Sequence, residues 1–310
     1  MKLMHLINDK LYALILYGLS KVYLEIKFRG STRVFSVIFG IFPLRRITLR
    51  HPLGFCWYLD SREALWTYIF SCEKFTTKII TNLADQIELG VCIGANRGWY
   101  PLVISKANPA IQLHAFEPNS STFKLLKDNI ERNITPVHLY KMAIGEFSEQ
   151  KDIYSYPEVN DGMTTLYPTN HYSPRFERIE EVEVGTLDTI FEINDKFIIP
   201  TLLQIDVEGG ENAVLLGAEN FLKVYSPTVI CEINPIMLNT AGSSPGQIFK
   251  FMSSLGYEIY WIDERGFLRL QEPRESCRHL EWLQPDSGSN YLFIKSSEGP
   301  ARNTIGTFTL

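Results

Sequence analysis

The stretch that decides the fold is Val91-Cys92-Ile93-Gly94-Ala95-Asn96-Arg97-Gly98, and Phe116-Glu117-Pro118 follows it about twenty residues later. An apolar strand runs into a glycine turn that opens a helix, and a second apolar strand ends on an acid. In a doubly wound sheet this arrangement lets the backbone approach an adenosine-containing cofactor, whose ribose hydroxyls donate to the acid. We therefore expect Gly94 and Gly98 to shape the turn and Glu117 to bind the ribose.

Strand and helix signals alternate from this motif onward. Apolar runs predict parallel strands at 89–93, 111–116, 137–141, 201–206 and 228–233. A helix is expected from about Ser120 to Asn133, and two antiparallel strands, Tyr257–Ile262 and Asn290–Lys295, should close the sheet. This order is typical of βαβ units. The prediction is an α/β protein with a doubly wound, mostly parallel, seven-stranded sheet and an N-terminal helical and hairpin extension.

Three parts are predicted along the chain: an extension over residues 1–80, the main domain over 81–296 and a flexible tail over 297–310. Within the extension we expect a hairpin between 46 and 59 and one helix over 62–83. Residues 155–178, rich in tyrosine and proline, resemble a long loop or lid. His171 lies there and is either a base or substrate contact, or an ordinary surface histidine.

Composition and charge indicate which binding partners and which cellular compartment to expect. The 310-residue chain has a net charge of -5 and no long basic run, which gives no support for nucleic-acid binding. Its five cysteines form no Cys-x-x-Cys pair, so a reduced, cytoplasmic protein without zinc is expected. Two apolar N-terminal runs are shorter than the ~20 residues of a membrane span. They predict helices packed on the main domain or, alternatively, peripheral contact with a membrane surface.

A second acidic group follows the later strands. Asp206 and Glu208 alternate on a segment that we expect to be extended, so both side chains should face the same side. Glu232 and Asn234 end the neighbouring strand in the same way, and open α/β sheets bind ligands at this edge. Glu211 is either part of this group or a carboxylate that stabilises the start of the next helix.

Six motifs in register make residues 87–235 resemble the FkbM family of S-adenosylmethionine-dependent methyltransferases. The motifs are Cys92-Ile93-Gly94-Ala95-Asn96-Arg97-Gly98, Phe116-Glu117-Pro118-Asn119, Ala143-Ile144-Gly145, Leu187-Asp188, Gln204–Glu211 and Cys231-Glu232. The resemblance implies S-adenosylmethionine as cofactor and methyl transfer to a hydroxyl of a small-molecule, sugar or glycolipid acceptor. The implied cofactor-binding residues are Cys92, Gly94, Asn96, Gly98, Glu117, Pro118 and Ala143, and the implied catalytic residues are Asp206, Glu208 and Glu232.

The chain departs from the family pattern at two positions. Cys92 replaces the motif acid that reaches the cofactor's methionine amine, and Gln204 stands where lysine is frequent. Losing one charge-assisted hydrogen bond costs roughly 1.5–3 kcal/mol, so weaker cofactor binding is expected. Cys92 is therefore the main support for an alternative, a non-catalytic interaction module with the methyltransferase fold. A nicotinamide-dependent dehydrogenase is disfavoured, because Gly94–Gly98 lacks the Gly-x-Gly-x-x-Gly spacing.

Two ways of activating a hydroxyl acceptor stay open at this level. Crowded carboxylates raise one another's pKa, so Asp206 or Glu208 could serve as a base. Alternatively, the same oxygens could hold Mg²⁺, which would lower the pKa of the acceptor hydroxyl.

Overall fold

The structure is a computed structural model in which most of the chain is described. The described residues are 8–25, 44–71, 73–156, 160–168, 175–191, 199–262, 268–271 and 289–295. The second apolar N-terminal run, His171 and the predicted tail over 297–310 lie outside these residues.

Helices and strands alternate through the described residues. The helices are α1 (Asp9–Glu25), α2 (Arg62–Phe70), α3 (Lys74–Ala84), α4 (Trp99–Ala107), α5 (Ser120–Arg132), α6 (Leu187–Ile190), α7 (Glu211–Leu216), α8 (Glu219–Tyr225), α9 (Pro235–Thr240) and α10 (Pro245–Ser254). The strands are β1 (Ile47–Arg50), β2 (Cys56–Leu59), β3 (Leu89–Ile93), β4 (Gln112–Phe116), β5 (Val137–Tyr140), β6 (Ala143–Ile144), β7 (Glu149–Tyr156), β8 (Asn160–Thr165), β9 (Glu177–Gly185), β10 (Thr201–Ile205), β11 (Thr228–Ile233), β12 (Tyr257–Ile262), β13 (Leu268–Gln271) and β14 (Ser289–Lys295).

The main sheet has the strand order β13-β12-β14-β11-β10-β3-β4-β5. Strands β11, β10, β3, β4 and β5 run parallel, and β14 joins β11 antiparallel. All seven predicted strands are present, which confirms the doubly wound, mostly parallel sheet. Strand β13, which sequence reasoning missed, adds an eighth at the edge beside β12. The carboxyl ends of β3, β4, β10 and β11 consequently meet at one edge.

Both faces of the sheet are covered by apolar side chains. On β3, Val91 and Ile93 pack in the cluster that contains Val214 of α7 and Phe221 of α8. Cys92 points to the other face, where the core includes Leu102 of α4 and residues of the N-terminal extension. This alternation is the ordinary period of two along a strand that is buried on both faces.

The N-terminal extension packs on the main domain. Tyr12 and Leu16 of α1 are fully buried in the same core cluster as Cys92. His51, also fully buried, follows β1 and lies 2.9 Å from Ser20 Oγ and 3.0 Å from the Tyr68 carbonyl oxygen. Among the described residues, the helices are too short or too polar to cross a membrane. The boundary at residue 80 stays a prediction.

Two predicted elements differ from the structure. The single helix expected over 62–83 is two helices, because Ser71 and Glu73 adopt left-handed φ angles of 59° and 50° between α2 and α3. Within the described residues of the loop expected over 155–178, the end of β7, all of β8 and the start of β9 belong to a second, four-stranded sheet of order β6-β9-β7-β8. The alternation of buried Val182 and Val184 with glutamates in β9 is a strand signal just beyond that segment, where no strand was predicted.

Candidate active site

A cleft of about 820 Å³, part of it open to solvent, lies at the carboxyl edge of the main sheet. One wall comes from the ends of β3, β4 and β10, and the other comes from β7, β8 and the turn that follows β8. Gly94, Asn96, Glu117, Pro118, Ala143, Asp206 and Glu208 all line it. Seven of the ten residues predicted for the site therefore share one cleft.

The glycine turn after β3 lies against the loop after β10. Gly94 has φ 74°, and a Cβ placed there would come within 1.7 Å of the Asp206 carbonyl oxygen. The Asp206 amide donates to the carbonyl of Ile93 at 3.0 Å, which fixes this approach. Gly98, with φ 93°, starts α4 and packs against Leu126 of α5. Glycine at position 94 thus brings two backbones together where a ligand would lie.

Glu117 ends β4 as a buried acid that two backbone amides hold. Its carboxylate accepts from the Asn96 amide and from the Asn119 amide, each at 3.0 Å. Burial raises its pKa to about 7, and these two bonds oppose that rise. Each oxygen keeps a second lone pair, which suits the two hydroxyls of a ribose. The Asn96 side-chain Oδ1, buried and without a hydrogen-bond partner, provides a further acceptor for a cofactor amine.

The far end of the cleft is apolar. Ala143 and Ile144 of β6 line it together with Phe116, whose ring stacks on Tyr140 at 4.5 Å. Met163 of β8 closes it from the second sheet. An apolar lining of this kind suits an adenine ring, and the adenine contact expected of Ala143 stays a prediction. The residues present therefore fit S-adenosylmethionine.

Asp206, Glu208 and Glu232 form an acid cluster. One ligand atom from each lies within 4.8 Å of the others, and all three residues are half-buried. The expectation that Asp206 and Glu208 alternate on an extended segment is wrong, because Glu208 has φ 54° and lies in a turn. Thr165 of β8 donates to the Glu208 carbonyl oxygen at 2.7 Å and so ties this turn to the second sheet.

Burial and mutual repulsion both disfavour ionisation within the acid cluster. Burial raises the pKa of Asp206, and a hydrogen bond from Glu232 opposes that rise. Burial, and then the charge of Asp206, raise the pKa of both Glu208 and Glu232 well above the ordinary value. The hydrogen bond between Asp206 and Glu232 lowers the pKa of Asp206 and raises that of Glu232, so Asp206 is the more acidic partner of the pair.

Two neighbouring polar residues serve the backbone instead. Glu211 is buried and accepts from the Gly209 amide at 3.0 Å and from the Val207 amide at 3.3 Å, so it stabilises the turn before α7. Asn234 was expected to converge with the acids. It caps α9 and accepts from the amides of Ile236 and Met237.

Cys92 does not line the cleft. Its side chain is fully buried on the face that packs on α4, and its in-register neighbours are Gln204 on β10 and Ala115 on β4. Burial raises the pKa of its thiol, which therefore stays neutral. In place of the cofactor role predicted for Cys92, we propose that this side chain packs in the core. The two departures from the family pattern, Cys92 and Gln204, are direct neighbours.

Glu73, at the start of α3, was missed by sequence reasoning. Its carboxylate accepts from the Tyr100 hydroxyl at 2.8 Å and from Asn290, which lies opposite Glu232 in the β11–β14 register. Loss of solvent around the carboxylate, and then the charge of Asp206, raise its pKa to about 7. The sequence carried no signal, since an acid inside a predicted helix usually faces solvent.

Comparisons with known proteins agree with this geometry. The sequence model described as "Methyltransferase FkbM domain" matches residues 93–259, just over half of the chain. Hexuronic acid methyltransferase AglP of Haloferax volcanii is 28% identical over 185 residues, which are 58% of this chain and 68% of that protein. Methyltransferase 1 of Beauveria bassiana is 27% identical over 143 residues, covering 41% of this chain and 57% of that protein.

Among solved structures, the methyltransferase FkbM from Methylobacillus flagellatus KT has a TM-score of 0.38 at 12% identity. That likeness covers 75% of this chain and 54% of the other.

The doubly wound sheet, with its glycine turn and its acid at the end of β4, defines a class I methyltransferase. The protein is an enzyme that depends on S-adenosylmethionine. The chain belongs to the FkbM methyltransferase family.

Proposed function

We propose that this protein methylates a hydroxyl oxygen of a sugar-type small molecule, either free or carried on a lipid. The observation that carries the proposal is the position of Asp206. It lines the cofactor cleft next to Gly94 and also belongs to the acid cluster with Glu208 and Glu232. An acceptor at the open side of the cluster would therefore meet a carboxylate beside the cofactor.

Four residues that line the cleft have a part in holding the cofactor in this proposal. Glu117 accepts from the ribose, Asn96 and the backbone at Gly94 hold the methionine end, and Ala143 contacts the adenine. When bound, S-adenosylmethionine supplies an electrophilic methyl group on a sulfonium. A sugar hydroxyl is a weak nucleophile, so it gains from a base within hydrogen-bond distance.

Asp206 is the proposed base. It accepts a hydrogen bond from Glu232, which lowers its pKa against the rise that burial causes. Asp206 would accept the proton of the acceptor hydroxyl, and the hydroxyl oxygen would take the methyl group as the S–CH3 bond breaks and S-adenosylhomocysteine is released. Metal assistance is the other route. The three carboxylates of Asp206, Glu208 and Glu232 have a spacing that suits a divalent cation, and a requirement for Mg²⁺ stays a prediction.

Two observations support a sugar-type acceptor: the name of one relative and the net charge of this chain. The Haloferax volcanii relative is named a hexuronic acid methyltransferase, which makes hydroxylated sugars the first acceptors to test. The chain carries a net charge of -5, which disfavours a polyanionic nucleic acid as acceptor. The non-catalytic alternative depended on Cys92, and a cysteine buried in the core no longer supports it.

The test is an acceptor screen that reads out release of S-adenosylhomocysteine. The purified protein would be incubated with S-adenosylmethionine and neutral hexoses, hexuronic acids, catechol or an amine, and products would be identified by mass spectrometry. We expect O-methyl sugar that is lost in Glu117→Ala and kept in Glu88→Ala, whose side chain is exposed at the opposite end of β3. Transfer to the amine alone, or micromolar cofactor binding without transfer to any hydroxyl, would contradict the proposal.

A further inference from the structure

The backbone conformation at position 73 is unfavourable for glutamate. It occupies the N-cap of α3 with φ 50°, a left-handed conformation that is costly for residues with a Cβ. Helix N-caps favour Asn, Asp, Ser, Thr or Gly, because a short side chain can accept from the first free amides. The Glu73 side chain makes no such capping bond. Backbone strain of this kind persists where the surrounding structure holds it, and it clusters at functional sites.

The side chain of Glu73 extends toward the acid cluster. Tyr100 of α4 donates to it at 2.8 Å, and Asn290 of β14 donates to it from the position opposite Glu232. Its charge raises the pKa of Glu208 and Glu232, and the charge of Asp206 raises its own pKa. The N-terminal extension thus brings a fourth carboxylate near the acid cluster, outside the set whose ligand atoms lie within 4.8 Å of one another.

The position of Glu73 relative to the cleft suggests what it could bind. Asp206 and Glu208 line the cofactor cleft, whereas Glu73 and Glu232 are not among its lining residues. Residue Glu73 is nevertheless solvent-exposed, although protein surrounds its carboxylate. The exposed surface of Glu73 therefore lies outside the lining of the cofactor cleft, and a ligand would contact it from that side. Asp206 lies between the two regions, because it interacts with Glu73 and contributes to the cleft.

We infer that Glu73 is an acceptor-binding residue, which makes the N-terminal extension part of the active site. The Glu73 carboxylate, held by Tyr100, accepts a hydrogen bond from a hydroxyl of the acceptor and so presents a neighbouring hydroxyl to Asp206. The ligand class is a molecule with at least two hydroxyl groups close together, as in a sugar ring. This inference rests on the proposed function, since it names the acceptor side of the same site.

A purely structural role for Glu73 predicts different behaviour. If its bonds to Tyr100 and Asn290 stabilised the fold, then replacing Glu73 would lower the melting temperature. If the residue serves the acceptor, then Glu73→Asn should stabilise the protein. Asparagine tolerates the left-handed conformation, can cap α3 and carries no charge into the acid cluster. Ile134→Asn is the matched control, because Ile134 has φ 51° and is 92% exposed at a distant loop.

The experiment measures three quantities on the full chain: melting temperature, affinity for S-adenosylhomocysteine, and kcat/KM with the best sugar acceptor of the screen. We expect Glu73→Asn and Ile134→Asn each to raise the melting temperature by about 2–4 °C. Cofactor affinity should stay within twofold in both. Glu73→Asn and Glu73→Gln should lower kcat/KM by about 10- to 100-fold, which is the range for one hydrogen bond to a charged group. Ile134→Asn should keep wild-type activity.

The outcomes separate this inference from the proposed function. If the wild type methylates a sugar while Glu73→Gln is equally active, the inference fails and the proposed function stands. A melting temperature lowered by Glu73→Asn but not by Ile134→Asn would assign Glu73 to the fold and also overturn the inference. If the wild type binds S-adenosylhomocysteine and methylates no hydroxyl acceptor, both proposals fail together.

Discussion

Replacement of Cys92 by aspartate tests which way this position faces. Aspartate is the residue of the family pattern, and if position 92 reached the cofactor the substitution would strengthen cofactor binding. In the structure the side chain is fully buried among apolar groups, with Gln204 and Ala115 as its in-register neighbours. We therefore expect Cys92→Asp to destabilise the fold and to leave cofactor affinity unchanged.

The size of the loss follows from the burial of position 92. A carboxyl group in this place would stay protonated, and holding it neutral at pH 7 costs about 4 kcal/mol. The reason is that pH 7 lies about three units above its ordinary pKa and each unit is worth about 1.4 kcal/mol. Leaving it ionised and unpaired would cost about 3–5 kcal/mol as well. Either cost is a large part of a total stability of about 5–15 kcal/mol.

The position opposite Cys92 offers an internal control. Gln204 on β10 faces the same side of the sheet, and neighbouring strands lie about 4.8 Å apart. A lysine there would meet the aspartate, so Cys92→Asp combined with Gln204→Lys should recover about 2 kcal/mol over the sum of the two single variants. Cys56→Asp, at a half-buried position of the hairpin, should cost less than about 1 kcal/mol.

Denaturant unfolding of the four variants and calorimetric titration with S-adenosylmethionine measure these effects. The reasoning is refuted if Cys92→Asp keeps wild-type stability within about 1 kcal/mol and binds the cofactor at least tenfold more tightly. That result would mean that position 92 faces the cofactor, as the sequence alone suggested.

Three further predictions concern the cleft and its supports. The raised pKa of Glu117, about 7 against an ordinary 4.5, means that the cofactor-free protein loses stability as pH rises from about 5 to 8. Glu117→Gln should reduce that loss by up to about 3 kcal/mol, measured as the free energy of unfolding at both pH values. An equal loss of stability in the wild type and in Glu117→Gln would contradict this prediction. Gly94→Ala should prevent folding or cost more than about 3 kcal/mol of stability, because the added Cβ would meet the Asp206 carbonyl oxygen. Gly18→Ala, in open space on α1, should instead stabilise the protein by about 0.5–1 kcal/mol. Equal stabilities of the two variants in urea unfolding would refute this prediction. Asp188 accepts hydrogen bonds from the amides of Asn220 and Phe221 at the start of α8. Asp188→Ala should therefore lose about 1–2 kcal/mol of stability in thermal unfolding, with cofactor affinity unchanged. Weaker cofactor binding would argue against a capping role.

Much of the fold was predictable because its signals are local. Five apolar runs separated by helical patterns predicted the parallel strands β3, β4, β5, β10 and β11, and the chain follows that order. The cofactor cradle was predictable for a related reason. Gly94 and Glu117 each follow a parallel strand directly, and parallel topology brings the ends of such strands to one edge.

Other features depend on contacts between segments far apart in the sequence. The second sheet forms because β9 pairs with β7, and neither strand was predicted from the sequence. Glu73 comes near the acid cluster only because α3 packs beside α4, where Tyr100 holds it. Asn234 and Glu208 carry the side chains expected at a ligand edge, yet helix capping and a left-handed turn decide where these side chains point.

The sequence by itself determined the class of protein, because glycines, acids and apolar runs act through the backbone immediately around them. Only the tertiary structure decided which side chains form the site. The burial of Cys92 and the position of Glu73 near the acid cluster arise from packing of the N-terminal extension on one face of the sheet. Such packing depends on the shape and apolar area of whole surfaces, which no single motif encodes.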